Sequence, residues 1–427
     1  MGEFQDNHRY EEPKILPSRA RGYKKKSLDI VQLERGWVPS QELLERYRKP
    51  DIIDPMERPI ESIVFRNKTL SAKGRVKLEG MTLYNIGKCI TTMSLPENHS
   101  KYIFVGIKQG FQRESTFKFS SEASDIYLFD QELNLQHILN FEFGYCRKIE
   151  TRQERDAVRC VALFSDGFIR RFDFEEEIRD MVLINVEGVV SFEICWDSDL
   201  IFATDGKAVV WIHQNSVMSV FSEMKGMVTS IAIKKRGLQG CKDEAQTPAV
   251  RTCPSKAPLE FYALTLSGKI FRFDHKFQEK KKISFPSGYT FIKYLAQAGT
   301  LIVVDTLSNV TKALYDEGCT QRTSTMFNYS MSCCRPSHRR ILIGGFDGTI
   351  KNAKVNKRRA RVKTLFQIVR SGEEVILGHS EEELKRLDSK GRPFNDNSER
   401  VVDLCIGRSS LFAAYECGIV VALGLVL

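Results

Sequence analysis

The sequence predicts an all-β protein, a seven-bladed β-propeller that follows a basic and mostly irregular N-terminal extension. Two observations carry this prediction. A hairpin pattern recurs seven times from about residue 100 onward. Where nothing is inserted, its turns are spaced by about 40 residues, which is the period of a propeller blade. The predicted boundaries are residues 1–60 for the extension and residues 61–427 for the propeller.

Each repeated unit is an apolar run, a turn, and a second strand that ends in an aromatic or aliphatic pair. The seven copies begin at Tyr102, Cys160, Leu200, Phe261, Leu301, Ile341 and Leu411. Their apolar runs are continuous, as expected of strands that are buried on both faces. Six turn positions suit a positive φ, which Gly or Asn adopts with the least steric penalty: Gly167, Gly206, Gly268, Asn309, Gly348 and Gly418.

The last copy ends at Leu427 with its second hairpin strand, so its blade needs a further strand to cover an open edge. We expect residues 60–84 to supply it and so to close the ring. Residues 236–258 and about 371–400 are polar and charged, which predicts inserted loops. Short helices are predicted at residues 40–49 and 378–388.

Several hairpins end where a Trp-Asp pair would stand in a WD repeat. The corresponding pairs here are Phe129-Asp130, Phe172-Asp173, Trp211-Ile212 and Phe273-Asp274. The chain therefore resembles a divergent WD-repeat propeller over residues 100–427. This resemblance implies a scaffold that binds other proteins.

A narrower resemblance rests on one stretch. A strand ending in Phe129-Asp130 leads to Leu135 and His137, then to Phe143-Gly144, then to a turn at Asp166-Gly167. This order resembles the first blades of the WD-repeat subunit of general transcription factor IIIC, which recruits RNA polymerase III. The resemblance implies a nuclear, DNA-associated subunit of a multiprotein complex. The alternative is a nuclear WD-repeat scaffold for ribosome biogenesis or chromatin assembly without direct DNA contact.

Composition favours a polyanionic partner. The formal net charge is +10 over 427 residues. No signal peptide and no apolar run long enough to span a membrane are evident, so no membrane partner is expected. The 11 cysteines are scattered, without C-x-x-C, and most lie inside apolar runs. We therefore expect reduced, buried thiols and a nuclear or cytosolic location, and the basic charge favours the nucleus.

Two basic segments are the candidate nucleic-acid contacts, through the phosphate backbone. The tail contributes Arg19, Arg21, Lys24, Lys25 and Lys26, and the sixth hairpin with its approach contributes Arg339, Arg340, Lys357, Arg358, Arg359, Arg361 and Lys363. We expect Arg335 to join the second group. The tail is equally well explained as a solvated arm or an import signal. The second run is equally well explained as a charged outer strand that blocks unwanted pairing.

No catalytic motif stands out. The sequence holds no H-E-x-x-H, no phosphate-binding G-x-x-x-x-G-K-[ST] loop and no G-x-S-x-G elbow. The 7 histidines are dispersed, which favours structural roles. We therefore expect no enzymatic activity, no metal, no cofactor and no small-molecule substrate. RNA instead of DNA would suit the same composition.

Overall fold

The computed structural model describes most of the chain after residue 59. The described residues are 60, 62–66, 68–71, 74–96, 101–108, 124–221, 226–234, 260–267, 269–274, 279–284, 289–295, 300–305, 310–317, 320–327, 331–337, 340–355, 360–371, 374–378, 399–407 and 409–424. The predicted N-terminal extension apart from Ile60, both predicted helices apart from Gly378, and the predicted loop at 236–258 lie outside them.

Within these residues the chain forms 32 β-strands and no helix, so the predicted all-β class is confirmed. Four strands come first: β1 (Ser62–Phe65), β2 (Lys68–Ser71), β3 (Gly74–Leu78) and β4 (Met81–Asn85). Sheet 1 holds β5 (Cys89–Ser94), β6 (Ile103–Lys108), β7 (Ser124–Phe129) and β8 (Leu135–Phe141). Sheet 2 holds β9 (Cys146–Glu154), β10 (Ala157–Phe164), β11 (Ile169–Phe174) and β12 (Ile178–Ile184).

The next three sheets repeat this four-stranded, antiparallel plan. Sheet 3 holds β13 (Ser191–Cys195), β14 (Leu200–Thr204), β15 (Val209–His213) and β16 (Ser216–Phe221). Sheet 4 holds β17 (Val228–Lys234), β18 (Glu260–Thr265), β19 (Lys269–Asp274) and β20 (Glu279–Ser284). Sheet 5 holds β21 (Tyr289–Leu295), β22 (Thr300–Asp305), β23 (Val310–Glu317) and β24 (Thr320–Phe327).

The last two sheets include the N-terminal strands. Sheet 6 holds β25 (Met331–Ser337), β26 (Arg340–Gly345), β27 (Thr349–Val355), β28 (Ala360–Ser371) and β29 (Glu374–Gly378), followed by β1 and β2. Sheet 7 holds β30 (Val401–Ile406), β31 (Ser410–Tyr415) and β32 (Ile419–Gly424), followed by β4 and β3. All neighbours pair antiparallel except β1 and β29, which pair parallel. The edge of β32 is covered by β4, so residues 60–84 do supply its partner strand.

The seven predicted hairpins correspond to the two middle strands of sheets 1 to 5 and to β26–β27 and β31–β32. Their turns need glycine where backbone comes close. Gly348 has a φ of 73°, and a Cβ there would lie 2.3 Å from the carbonyl oxygen of Ile368. Gly418 has a φ of 97°, and its Cβ would lie 2.6 Å from the carbonyl oxygen of Lys88. No L-side chain fits these contacts, which explains the glycine at both turns.

Buried apolar side chains fill the space between neighbouring sheets. The pairs of sheets that share a described core, each with two of its members, are sheets 1 and 2 (Phe104, Phe172), 2 and 3 (Leu163, Phe192), 3 and 4 (Phe202, Phe261), 6 and 7 (Phe366, Tyr415), and 7 and 1 (Phe129, Phe412). Strands β6, β14, β18 and β31 are buried on both faces, which is why their sequences are nearly continuous apolar runs.

Two details of sheet 6 differ from the sequence-based expectation. The predicted loop at 371–400 begins with a strand, because Glu374–Gly378 forms β29 and pairs with β28. The sequence predicted that the basic run belongs to the outer strand of its sheet, and this prediction was wrong. Strands β29, β1 and β2 extend the sheet beyond β28. Only Gln367–Ser371 of β28 pairs with β29, so the basic first half of β28 has described pairing on the β27 side alone.

Candidate nucleic-acid interface

The strands that flank the basic run of the sixth hairpin, and those that flank the basic residues before it, end at one end of sheet 6. Ser337 pairs with Arg340 at the end of β25–β26, and Val355 pairs with Ala360 at the end of β27–β28. Ile341 near the start of β26 pairs with Ala353 near the end of β27. The β25–β26 connection and the β27–β28 connection therefore lie at the same end of the sheet. The strand pairing thus gathers the two segments that the sequence analysis had grouped.

The predicted site residues fall into three groups. Those outside the described residues are Arg19, Arg21, Lys24, Lys25, Lys26, Arg339, Lys357, Arg358 and Arg359. Two have a described backbone position only: Arg340 begins β26, and Arg361 lies near the start of β28. Lys363 is described in full, and it is an exposed residue of β28 that stands opposite Asn352.

The expectation that Arg335 belongs to this basic group was wrong. Its guanidinium turns toward sheet 7, where Nε donates to the carbonyl oxygen of Leu404 at 2.8 Å. Nη2 lies 3.3 Å from Oδ1 of Asp403. This carboxylate holds the pKa of Arg335 above its ordinary value. Arg335 therefore joins two sheets through an internal ion pair and is not available to phosphate.

Lys351, the first basic residue of the run, is also used within the fold. Its ammonium lies 3.3 Å from Oδ2 of Asp347, four residues earlier. Asp347 Oδ1 in turn accepts hydrogen bonds from the backbone and hydroxyl of Thr349, at 3.2 and 2.6 Å. Asp347 is thus a turn residue, as its Asp-Gly context indicated. Lys351 is therefore neutralised within the hairpin, and the basic residues proposed to bind a ligand are those that follow it in the sequence.

The sequence analysis did not find the charged side chains of β9 and β13 that meet between sheets 2 and 3. Lys148 on β9 donates to the carbonyl oxygen of Phe192 at 2.6 Å and lies 3.2 Å from Oε1 of Glu193 on β13. Glu150 on β9 is 3.5 Å from the same ammonium. These charges compensate one another between sheets 2 and 3. In β13 the alternation of Ser191 and Glu193 with apolar Phe192 and Ile194 was the available signal.

Most cysteines in the described part of the chain are buried thiols, and no cluster of metal-ligating side chains occurs there. The described cysteines are free thiols, and all except Cys89 are buried. Burial raises the pKa of Cys405 to about 12 and that of Cys146 further, so both thiols are protonated at neutral pH. Among the described residues no group of three or more His, Cys, Asp or Glu could hold a metal ion. No helix in the same residues is long and apolar enough to cross a membrane.

Comparison with known proteins identifies the fold and nothing narrower. No family model matches the chain, and no curated protein matches it. Among solved structures it is similar to Raptor of Chaetomium thermophilum, with 12% sequence identity, a TM-score of 0.53 and 80% of this chain covered. The chain spans 29% of the Raptor chain. Together with the all-β, multi-sheet structure, this likeness fits a divergent WD-like β-propeller. It does not support the resemblance to transcription factor IIIC.

Proposed function

We propose that this chain is a non-enzymatic nuclear scaffold that associates with DNA through the basic end of sheet 6. The observation that supports the proposal is the strand pairing of β25–β26 and β27–β28. This pairing brings the strand ends that flank two basic segments to the same end of sheet 6. Between Val355 and Ala360 stand Lys357, Arg358 and Arg359 without an acidic residue. Clustered Lys and Arg bind the phosphate backbone without reading its sequence.

We also propose that the seven sheets are the blades of one closed propeller. Shared cores join sheets 6, 7, 1, 2, 3 and 4 in that order, and β17 of sheet 4 lies beside β21 of sheet 5. Contact between sheets 5 and 6 would complete the ring. A ring gives every sheet two neighbours, so that no apolar face is left to water.

The assignment to the promoter-binding factor of RNA polymerase III stays a prediction that rests on the sequence resemblance alone. Its competitor is a scaffold for ribosome biogenesis or chromatin assembly that does not contact DNA. Purification of the native protein followed by mass spectrometry separates the two. Recovery of the other factor IIIC subunits in one complex would support the first, and their absence from an otherwise intact complex would exclude it.

The DNA contact is tested by charge reversal at the basic end. The test variant carries Lys357→Glu, Arg358→Glu, Arg359→Glu and Arg361→Glu. A control with the same change in net charge reverses four exposed residues in or beside other sheets: Lys77→Glu, Lys101→Glu, Arg155→Glu and Lys207→Glu. Affinity for duplex DNA is measured by fluorescence anisotropy over a range of salt concentrations.

We expect the test variant to bind more weakly, with a log affinity against log salt slope that is shallower by as much as about 3 to 4, since each lost phosphate contact removes about 0.9. The control should change the slope much less, because its residues lie in or beside sheets 1, 2, 3 and 7 and not at the basic end of sheet 6. Equal slopes for the wild type and the test variant, with both folded, would show that the run is only a charged, solvated edge.

A further inference from the structure

The outer strands of sheets 2 and 3 expose large apolar side chains. Among the described residues, β12 exposes Met181, Val182 and Leu183, and β16 exposes Val217, Met218 and Val220. Only three other large apolar residues are exposed in the described part of the chain, each on a different element. Contiguous exposed apolar side chains on a folded protein mark a contact surface more often than scattered ones do.

Strand pairing places three of these side chains on facing walls. Val220 pairs with Val210, and Val217 pairs with Ile212. Since both partners belong to the core between sheets 2 and 3, and paired residues share a sheet face, the two exposed valines face sheet 2. Val182 pairs with Arg171, whose guanidinium reaches sheet 3, so Val182 faces sheet 3. We call the space between them the rim groove, lined by Val182, Val217 and Val220.

An ion pair fixes the floor of the rim groove. The two terminal nitrogens of Arg171 lie 2.8 and 3.0 Å from the two carboxylate oxygens of Asp199, which lies between β13 and β14. Nη1 also lies 3.3 Å from Oδ1 of Asn215, between β15 and β16. A bidentate pair of this kind fixes the separation of the two sheets. Contacts within the fold therefore set the spacing of sheets 2 and 3 below the three valines.

The surroundings of β12 are acidic, although the whole chain is basic. Residues 175–187 contain five acidic residues and one Arg, which gives a net charge of −4. Arg179 is engaged by Glu175 at 2.7 Å. Glu176, Asp180 and Glu187 are exposed. An apolar edge in an acidic setting is complementary to a segment that combines apolar and basic side chains.

We propose that the edge of β12 receives an extended segment of a partner protein, with apolar residues at alternate positions and Lys or Arg between them. In the described sheet β12 is the terminal strand, so an added strand can pair with its backbone. One face of the added strand would fill the rim groove, and the other would cover Leu183, which is half exposed. A second copy of this chain is a poor occupant, because it would bring a like acidic patch against this one.

The probe is a displayed library of peptides of roughly ten residues, in which apolar residues alternate with Lys, Arg, Ser or Thr. A matched library has Asp and Glu in place of Lys and Arg. Both are selected on the full-length protein and on the double variant Val182→Thr, Val220→Thr, which keeps side-chain shape and strand propensity but removes the apolar wall. The control variant is Val362→Thr, an exposed valine of β28 in sheet 6.

We expect enrichment of basic, alternating peptides on the wild type and on the control. Their affinity should fall at least about fivefold on the double variant, since two apolar contacts are lost. N-methylation is applied in turn to the two sets of alternate peptide nitrogens. One set should abolish binding, because only every second N–H of an added strand donates to β12. Unchanged binding with both sets, equal enrichment on the double variant, or preference for the acidic library would each overturn the proposal.

The experiment also decides whether a second copy fills the groove. Sedimentation velocity of the full-length protein should show no dimer that depends on Val182 and Val220. A dimer that the double variant loses would overturn the proposed occupant. Neither result depends on DNA binding at sheet 6, so this proposal and the proposed function fail or succeed separately.

Discussion

The outer edges of sheets 6 and 7 and those of sheets 2 and 3 are built in opposite ways. In sheets 6 and 7 the N-terminal strands extend the sheets to seven and five strands within the described residues. The terminal strand of sheet 7, β3, alternates partly buried residues with exposed Arg75 and Lys77. In sheet 2 the terminal strand β12 exposes five consecutive residues, of which Met181, Val182 and Leu183 are apolar.

The difference shows which edges are protected. Exposed basic side chains on an edge strand oppose pairing with another chain, and β3 follows this rule. The apolar edge of β12 breaks it, beside a groove whose floor is fixed by an ion pair. The two edges that the N-terminal strands cover bury apolar side chains of the core, whereas the apolar edge of β12 is the one for which we propose a partner. The following predictions test this division, from the largest expected effect to the smallest.

Removal of the N-terminal strands should have the largest effect. Deletion of residues 1–55 keeps β1 to β4 and should leave a soluble protein that unfolds cooperatively. Deletion of residues 1–85 removes all four strands, uncovers β29 and β32, and takes Ile63 and Leu83 from the core of sheets 6 and 7. We expect aggregation of this second variant in size-exclusion chromatography. A soluble second variant with an unchanged melting temperature would show that these strands are not needed to protect the edges.

Loss of the charge on Asp199 should have the next largest effect. Residue 199 has a φ of 51°, which Asn tolerates as well as Asp does. Asp199→Asn therefore preserves the backbone but removes the negative charge that pairs with the buried guanidinium of Arg171. We expect a loss of about 2 kcal/mol in the free energy of unfolding, measured in urea. The control is Asp197→Asn, whose carboxylate is exposed and lies 3.6 Å from Arg152. Its cost should stay within about 0.5 kcal/mol, and equal costs would contradict a structural role for the Arg171 pair.

A matched pair of valines separates core from contact surface. Val210 and Val220 stand opposite each other on β15 and β16, but Val210 is 5% exposed and Val220 is 59% exposed. Val210→Ala should cost about 2 kcal/mol in unfolding free energy. Val220→Ala should change stability by less than about 0.5 kcal/mol. A comparable cost for Val220 would mean that its side chain stabilises the fold and is not reserved for a partner.

The smallest effect is expected for the ion pair between the N-terminal turns. Arg66 follows β1 and lies 2.5 Å from Oε2 of Glu79, which follows β3. Both side chains are exposed, so solvent and salt screen the attraction. Glu79→Ala should change the unfolding free energy by no more than about 0.5 kcal/mol. A larger loss would indicate that charge, and not the burial of Ile63 and Leu83, fastens the N-terminal strands.

The repeat was accessible from the sequence because each of its signals is local. Continuous apolar runs around a turn glycine predicted the middle strands, and the positive φ of Gly167, Gly206, Gly348 and Gly418 confirms those turns. The strand β29 was missed because five residues, EVILG, are too few to show a period in a charged stretch. Its pairing of Ser62 with Glu374 joins residues 312 apart, and no local pattern predicts such a partner.

The candidate site shows the same division. The sequence identified the basic run, since charge is read directly from composition. It could not tell which members were engaged elsewhere, and Arg335 and Lys351 both proved to be paired with carboxylates of the fold. No sequence pattern predicted the rim groove, because the sequence does not distinguish an exposed valine from a buried one. Only the arrangement of sheets 2 and 3 makes Val220 a surface residue and Val210 a core residue.

By itself, the sequence determined the all-β class, the seven hairpins and the excess of positive charge, all of which follow from residue type and short-range spacing. The tertiary structure alone decided which strands cover β29 and β32, which charges are compensated, and which edge stays apolar. These features depend on contacts between residues that are far apart in the chain. Such contacts form only when the rest of the fold brings the two segments together, so no local sequence pattern predicts them.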